Sequence, residues 1–267
     1  MIRYALCNEV LRHRRWADAC ALMADAGYEG VELAPFTFVE RVEQLDTEAR
    51  SEIRRTAERY GLRIVGLHML LWSPAGLHAT HPDRVIREAT AAYLAELARF
   101  CAEVGGQVMV FGSPKQREAI PPIASAEAAP LWLETLQPAL RVCEQEGITL
   151  LLEPLPETNV VRRLSEAVDL VEQANHPNLR TMLDVKSALA ETDDVPGLIR
   201  QYAPWIAHVH LNDSNLRAPG FGATDFAPIL HALHAVGYQG WASLEPFDYY
   251  PDPETLTRDS LRYLKQL

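Results

Sequence analysis

Two hydrophobic patterns alternate along the chain with a period of about 30 residues. Short runs of five or six residues, rich in aliphatic and β-branched side chains, are typical of buried strands. Between them lie longer segments in which apolar residues recur every three to four positions, as in amphipathic helices. Eight strands alternating with eight helices predict an α/β fold, a closed parallel (β/α)8 TIM barrel. The predicted strands are residues 2–7, 28–33, 63–68, 107–111, 148–153, 180–184, 206–210 and 241–245.

Glycines at the ends of the predicted helices support the same interpretation. Gly27 and Gly147, for example, each follow a helical pattern and precede a strand, as is common at helix C-termini. No low-complexity segment or linker divides the 267 residues, a usual length for such a barrel. We therefore predict a single TIM-barrel domain over residues 1–267, with its active site at the C-terminal ends of the strands. The predicted helices are residues 16–26, 47–60, 85–104, 128–146, 165–174, 196–202, 226–236 and 253–264.

Composition excludes some partners. The net charge of −11 and a pI near 5.3 argue against nucleic-acid binding, since such proteins present basic faces. No apolar stretch approaches the roughly 18 residues needed to span a bilayer, which argues against a membrane protein. The chain opens directly into a strand-like run, and its four cysteines are scattered without metal-site spacing. We expect a cytoplasmic protein with buried cysteines.

Four polar residues close four consecutive apolar runs late in the chain. Glu153, Asp184, His210 and Glu245 follow one another at intervals of 31, 26 and 35 residues, each about one strand–helix unit. Polar residues at the C-terminal tips of consecutive barrel strands build the active site of this fold. Three carboxylates and one imidazole make an oxygen-rich site for one divalent metal ion. Mn²⁺ is the preferred ion, with Mg²⁺, Co²⁺ and Zn²⁺ as alternatives.

Several motifs carry a family resemblance. They include LEPLPETN at 152–159, LDVKSAL at 183–189, HVHLND at 208–213 and GYQGWASLEPF at 237–247. With these motifs the sequence resembles the xylose isomerase-like barrel superfamily, in its sugar phosphate isomerase/epimerase branch. That branch includes ketose 3-epimerases, hydroxypyruvate isomerases and inosose dehydratases. The resemblance implies metal binding by the four strand-end residues and an additional acid/base role for Glu153 and Glu245.

This chemistry is consistent with the residue types. Isomerising or epimerising a sugar beside a carbonyl requires removal of a proton from a weakly acidic carbon, which gives an enediolate. A cation polarises the carbonyl, one carboxylate abstracts the proton, and another acid returns one. We therefore predict a metal-dependent isomerase or 3-epimerase acting on a small carbohydrate or keto-polyol. The alternative is a lyase, of the inosose dehydratase or C-glycoside-cleaving type, in which the same enolate expels a group.

Four further residues are candidate substrate ligands. The resemblance suggests that Glu157 in the ETN turn and Arg217 after the seventh strand contact the sugar. It suggests that His68, at the third strand end, contacts the substrate or a water on the metal. Lys186, two residues beyond Asp184, is placed to point into the pocket and stabilise an oxyanion. The sequence leaves phosphorylation of the substrate and a homo-oligomeric state open.

One departure from the family pattern concerns the subtype. Ketose 3-epimerases usually have a histidine three residues after the sixth-strand aspartate, where this chain has Ser187. The choice between epimerase and isomerase therefore stays open. The DNA-repair endonuclease branch uses additional histidine ligands, and Phe111–Gly112 and Ser187 stand where two of them are expected. A nuclease is therefore not favoured.

Overall fold

Each of the eight predicted apolar runs forms a strand in the computed structural model, which describes residues 2–267. Every strand pairs in parallel with the next, and β8 pairs with β1 to close the barrel. The predicted (β/α)8 TIM barrel is therefore confirmed. The strands are β1 (Arg3–Cys7), β2 (Gly30–Leu33), β3 (Arg63–Leu67), β4 (Val108–Phe111), β5 (Thr149–Leu152), β6 (Leu179–Asp184), β7 (Ile206–Leu211) and β8 (Trp241–Leu244).

Within the described residues nine α-helices surround the strands, one more than predicted. The additional helix, α6, follows β6 directly, and Asp184 caps it by accepting the Ser187 N–H. Its seven residues span two turns, too few for a hydrophobic period to be visible in the sequence. The helices are α1 (Trp16–Ala26), α2 (Thr47–Arg59), α3 (Arg84–Glu103), α4 (Ser125–Glu146), α5 (Leu164–Ala174), α6 (Val185–Glu191), α7 (Val195–Tyr202), α8 (Ala227–Ala235) and α9 (Pro253–Leu264).

The strands are buried on both faces because helices cover the outside of the barrel. Leu6, Phe111 and Leu152 have no exposed surface, so these runs have no polar face. Two predicted helix ends are confirmed: Gly27 (φ 93°) ends α1, and Gly147 (φ 71°) ends α4. Both lie in the left-handed region, where a side chain is disfavoured.

The cysteines and the helices bear on two further predictions. All four cysteines, Cys7, Cys20, Cys101 and Cys143, are free and buried, as predicted. Over residues 2–267 the structure has no helix that is both long and apolar enough to cross a membrane. The segments that follow the strands, including 68–83, 112–124, 153–163 and 212–226, share the C-terminal face of the barrel. This face carries the candidate site.

Candidate active site

The four residues predicted at the strand ends form one buried cluster. One ligand atom from each of Glu153, Asp184, His210 and Glu245 lies within 4.8 Å of the others. The register explains this, since Asp184 of β6 pairs with His210 of β7, and the two glutamates directly follow β5 and β8. Nδ1 of His210 lies 2.9 Å from Oε2 of Glu245 and 3.3 Å from Oε1 of Glu153. The barrel therefore brings together the residues that the sequence singled out.

The orientation of His210 suits a metal ligand. Its Nε2 faces Glu32, 3.2 Å from Oε1, so the ring presents Nδ1 to the other three cluster residues. Although both distances from Nδ1 are short, this buried atom has no hydrogen-bond partner of accepted geometry within residues 2–267. Metal-binding histidines commonly have one nitrogen held by a carboxylate and the other free for the ion.

The cluster also favours positive charge. Burial lowers the pKa of His210, but Glu245 and Glu32 outweigh this and hold that pKa well above its usual range. A proton on His210 offsets part of the carboxylate charge, and a divalent cation would offset more. Three carboxylate side chains and one imidazole nitrogen are also a donor set that hard divalent ions accept. The residues present therefore fit a metal ion.

Asp184 is fixed by two donors. Its Oδ1 accepts the Ser187 N–H at 2.7 Å, and its Oδ2 accepts from Nδ2 of Asn212 at 2.6 Å. Asn212 in turn accepts the Lys186 N–H at 2.9 Å, which ties α6 to the end of β7. Burial, followed by the charge of Glu245, raises the pKa of Asp184. The helix start after β6 thus sets the position of this carboxylate.

Glu153 is held from behind through its backbone. The buried guanidinium of Arg117 donates to the Glu153 carbonyl at 2.7 Å and stacks 4.7 Å above the Trp132 ring centroid. Gly112 lies beside the carboxylate, and a Cβ added there would overlap Oε2 of Glu153. Burial, together with the nearby charges of Glu245 and Asp184, raises the pKa of Glu153 to about 7.

Glu245 is held through its side chain. Its Oε1 lies 3.0 Å from Nδ1 of His68, and Nε2 of His68 lies 2.9 Å from Oε2 of Glu9. Burial raises the pKa of Glu245, but His210 and His68 outweigh burial and lower it to about 2. Glu9 and Glu245 likewise outweigh the effect of burial on His68 and raise its pKa to about 10. The two glutamates therefore have pKa values shifted in opposite directions.

A cavity of about 380 Å³ opens above the cluster, and Glu153, Asp184 and Glu245 form part of its lining. Two of the four predicted substrate ligands, Glu157 and Lys186, also line it and form an ion pair with each other. The volume lies within the range of small-molecule sites.

The other two predicted substrate ligands lie outside this lining. His68 is 1% exposed and lies behind Glu245. Nε of Arg217 lies 2.9 Å from Oδ2 of Asp248, and its guanidinium lies 4.1 Å from the Tyr250 ring centroid. Direct contact of His68 or Arg217 with a substrate stays a prediction.

Comparison with known proteins places the chain in a family. A family model described as "xylose isomerase-like TIM barrel" matches residues 20–267. The chain belongs to this family. The resemblance inferred from the sequence motifs is therefore confirmed.

Two proteins that are similar in sequence to this chain are named as epimerases. A D-psicose 3-epimerase of Ruminiclostridium cellulolyticum is 32% identical over 117 residues, which cover 43% of this chain and 40% of the relative. That match spans less than half of either protein. A probable ketose 3-epimerase of Synechocystis is 23% identical over 269 residues, covering 90% of this chain and 86% of the relative. These names support the predicted class of enzyme, an isomerase or epimerase.

One solved structure adds to the fold assignment. A D-psicose 3-epimerase crystallised in the presence of D-fructose superposes with a TM-score of 0.86, covering 99% of each chain, at 19% identity. At this identity the similarity concerns the barrel itself. It agrees with the closed eight-stranded sheet of the xylose isomerase-like family.

Sequence reasoning missed the side chains behind the cluster. Glu32 of β2 contacts His210 and also lies 2.8 Å from Nε2 of His208. A signal for His208 was present, because residues two apart on a strand share a face, and His210 points inward. Glu9 had no such signal, since it follows β1 in a short 3₁₀ turn. Its relation to His68 depends on the folded barrel.

Proposed function

We propose that the chain is a divalent-metal-dependent ketose 3-epimerase that acts through an enediolate. The observation that carries this proposal is the buried cluster of Glu153, Asp184, His210 and Glu245 in the lining of a substrate-sized cavity. Two glutamates in one such cluster offer both a base and an acid beside a carbonyl. The names of the relatives point to the same reaction class.

The four cluster residues would hold the ion, with Nδ1 of His210 as its nitrogen ligand. When bound, the ion polarises the substrate carbonyl and stabilises negative charge that develops on its oxygen. Mn²⁺ is our first choice, because carboxylates with one imidazole suit it, and Mg²⁺, Co²⁺ and Zn²⁺ are alternatives.

Glu153 and Glu245 exchange the proton on the carbon beside the carbonyl. In one direction the Glu245 carboxylate removes the proton from C3, and the acid form of Glu153 delivers a proton to the other face. The reverse reaction exchanges these roles. Their strands, β5 and β8, are three steps apart in a circle of eight, roughly 135° around the barrel. This separation suits two faces of one planar intermediate.

The remaining residues orient these groups and the sugar. His68 and Glu9 hold the Glu245 carboxylate, while Arg117 holds the backbone of Glu153. Glu157 and Lys186, as a charged pair in the cavity lining, would hydrogen-bond sugar hydroxyls.

Incubation of Mn²⁺-loaded protein with ketoses in D₂O tests the proposal. We expect deuterium at C3 together with the C3 epimer, detected by NMR and chromatography. Exchange accompanied by loss of water or of an aglycone would assign the lyase alternative instead. Absence of exchange with every ketose, in protein shown to contain metal, would refute an enolising enzyme.

A further inference from the structure

Lysine is rare in this chain, and its positions are uneven. Three of the 25 basic side chains are lysines, Lys115, Lys186 and Lys265, and the other 22 are arginines. Two of the three lysines line the cavity above the cluster, whereas no arginine of residues 2–267 lines it. Arginine is a broad planar fork, while lysine is a compact point charge with three donors, which suits a confined space. The cavity therefore has lysine where the rest of the chain has arginine.

Lys115 lies in a short turn after β4 and has polar neighbours. The side chains of Ser113, Lys115 and Gln116, which we define as the polar corner, all line the cavity. The backbone of this turn is fixed, because the Ser113 carbonyl accepts the Gln116 N–H at 3.0 Å and the Gln116 carbonyl accepts the Ala79 N–H at 2.6 Å. Arg117, the next residue, is completely buried. The polar corner is thus a set of side chains on a fixed backbone.

The amine of Lys115 has no anionic partner in the described part of the chain. No carboxylate of residues 2–267 lies within 4.0 Å of it, and neither its Nζ nor the side-chain nitrogen of Gln116 donates a hydrogen bond within these residues. Lys186, by contrast, is mostly buried and pairs with Glu157, the one carboxylate of the lining outside the cluster. A free ammonium group in a concave site favours an anionic ligand.

The position of the polar corner indicates which part of a substrate it would contact. The four cluster residues end or follow β5 to β8, whereas β4 supplies none of them and leads into the polar corner. Glu157 and Lys186 line the cavity from the segments after β5 and β6, which come next in the barrel order. A ketose with its carbonyl at the cluster would extend past this pair, and its far end would reach the polar corner.

We propose that the natural substrate is a ketose with an anionic group, a phosphate or a carboxylate, on the terminal carbon farthest from its carbonyl, and that Lys115 binds this group. The proposal rests on the proposed epimerase function, whose substrate it specifies. Such a group leaves the anomeric carbon free, so the sugar ring can open and C3 keeps its proton beside the C2 carbonyl. Gln116 adds an amide donor, and the Ser113 hydroxyl, which accepts the Leu71 N–H at 3.3 Å, still has a proton to donate.

A metal ion in the cluster is the competing partner for the anionic group, because carboxylate and phosphate oxygens also bind hard cations. The two possibilities differ in their dependence on Lys115. An anion held by the metal ion would bind equally well without this lysine, whereas an anion held in the polar corner would not.

Calorimetric titration of Mn²⁺-loaded protein with matched ligands tests the proposal. The probes are D-fructose, D-fructose 6-phosphate and D-fructuronate, which has a carboxylate at C6, together with the corresponding D-tagatose series. We expect at least one anionic ketose to bind about 10- to 100-fold more tightly than the neutral ketose of its series, the usual effect of a hydrogen bond to a charged group. Tighter binding of the phosphate would identify a sugar phosphate, and tighter binding of the carboxylate a sugar acid.

Lys115→Gln should remove this preference and leave the affinity for the neutral ketose almost unchanged. Lys265→Gln is the matched control, since it removes the third lysine, which is exposed at the end of α9 and lies outside the cavity lining. Both variants lose one positive charge, so an effect of net charge would appear in both. We expect the control to keep the full preference.

Equal binding of neutral and anionic ketoses by the unmodified protein would overturn the proposal. A preference that survives in Lys115→Gln, or that is lost equally in Lys265→Gln, would also overturn it. Deuterium exchange at C3 of neutral ketoses without any anionic preference would refute only this proposal. An anionic preference that depends on Lys115, without exchange in any ketose, would refute only the epimerase.

Discussion

The two glutamates of the cluster lie in contrasting surroundings. The Glu245 side, which we define as Glu9, His68 and Glu245, is a chain of charged side chains joined by hydrogen bonds. The Glu153 side is defined as Gly112, Arg117 and Glu153. Here Arg117 holds the backbone carbonyl of Glu153, and the absence of a side chain at Gly112 leaves room for the Glu153 carboxylate. Imidazoles lower the pKa of Glu245 to about 2, while burial and neighbouring carboxylates raise that of Glu153 to about 7.

This difference shows how one barrel face can supply two carboxylates with different properties. Two imidazoles favour the charged form of Glu245. At Glu153, burial and the charges of Glu245 and Asp184 outweigh the effect of His210 and favour the neutral form. Opposite pKa shifts in neighbouring carboxylates are a common basis for acid and base roles. The following predictions test the two sides separately.

The largest effect is expected from replacing the carboxyl group of either glutamate. Glu153→Gln and Glu245→Gln should each lower turnover by about 10²–10⁴, the usual contribution of a general acid or base. Glutamine keeps one ligating oxygen, so metal content, measured by elemental analysis, should remain detectable. Either variant retaining more than a tenth of wild-type turnover would remove that glutamate from the mechanism.

A smaller loss should follow from closing the space beside Glu153. Gly112→Ala places a methyl group where Oε2 of Glu153 lies, which displaces the carboxylate. A misplacement of about 1 Å can lower turnover by roughly 10²-fold. Steady-state kinetics should show a lower kcat with an unchanged circular dichroism spectrum.

Gly61→Ala is the control for this variant. Gly61 (φ 74°) ends α2 and has open space around it, so alanine strains the backbone without contacting the site. It should lower thermal stability and leave kcat intact. An equal loss of kcat in both variants would mean that stability, and not the position of Glu153, decides turnover.

Replacing Glu9, which supports Glu245 through His68, should lower activity less than replacing Glu245 itself. Glu9→Gln removes the charge that holds His68, and we expect a 10- to 100-fold loss of metal affinity or kcat, as is typical for groups behind a metal ligand. Arg117→Lys is the corresponding variant on the Glu153 side, because Arg117 donates to the Glu153 carbonyl. A changed pH profile of kcat in Glu9→Gln, with an unchanged melting temperature, would separate positioning from stability. No change in metal affinity, kcat or its pH profile would refute the role of Glu9.

The smallest effect concerns stability of metal-free protein. Because the pKa of Glu153 is raised, its charged form destabilises the fold above its unfolded pKa near 4.5, increasingly up to about pH 7. Glu153→Gln should therefore raise the melting temperature by a few degrees at pH 7.5 and by less near pH 5. Glu245 has a lowered pKa, so its charge stabilises the fold above pH 4.5, and Glu245→Gln should lower the melting temperature. Calorimetry in the presence of a chelator measures both melting temperatures. Shifts of the same sign in the two variants would contradict the opposite pKa shifts of Glu153 and Glu245.

The periodicity of the sequence was sufficient to predict the barrel and the face that carries the site. Eight strand–helix units can close in one way, and the C-terminal tips of their strands meet on one face. Helix α6 was missed, since Val185–Glu191 is too short to show a period. Its start at Asp184 nevertheless determines how that carboxylate is held.

The amino-acid sequence by itself determined the (β/α)8 barrel and the convergence of Glu153, Asp184, His210 and Glu245, because strand period and strand end are local properties. Only the tertiary structure decided which side chains support these four cluster residues. Glu32 and His208 are 176 positions apart, and His68 and Glu245 are 177 apart, so their pairing depends on barrel register and side-chain rotamers. The orientation of Arg217 towards Asp248, and of Leu216 towards the cavity, was likewise decided by loop packing. Such contacts leave no periodic trace along the chain.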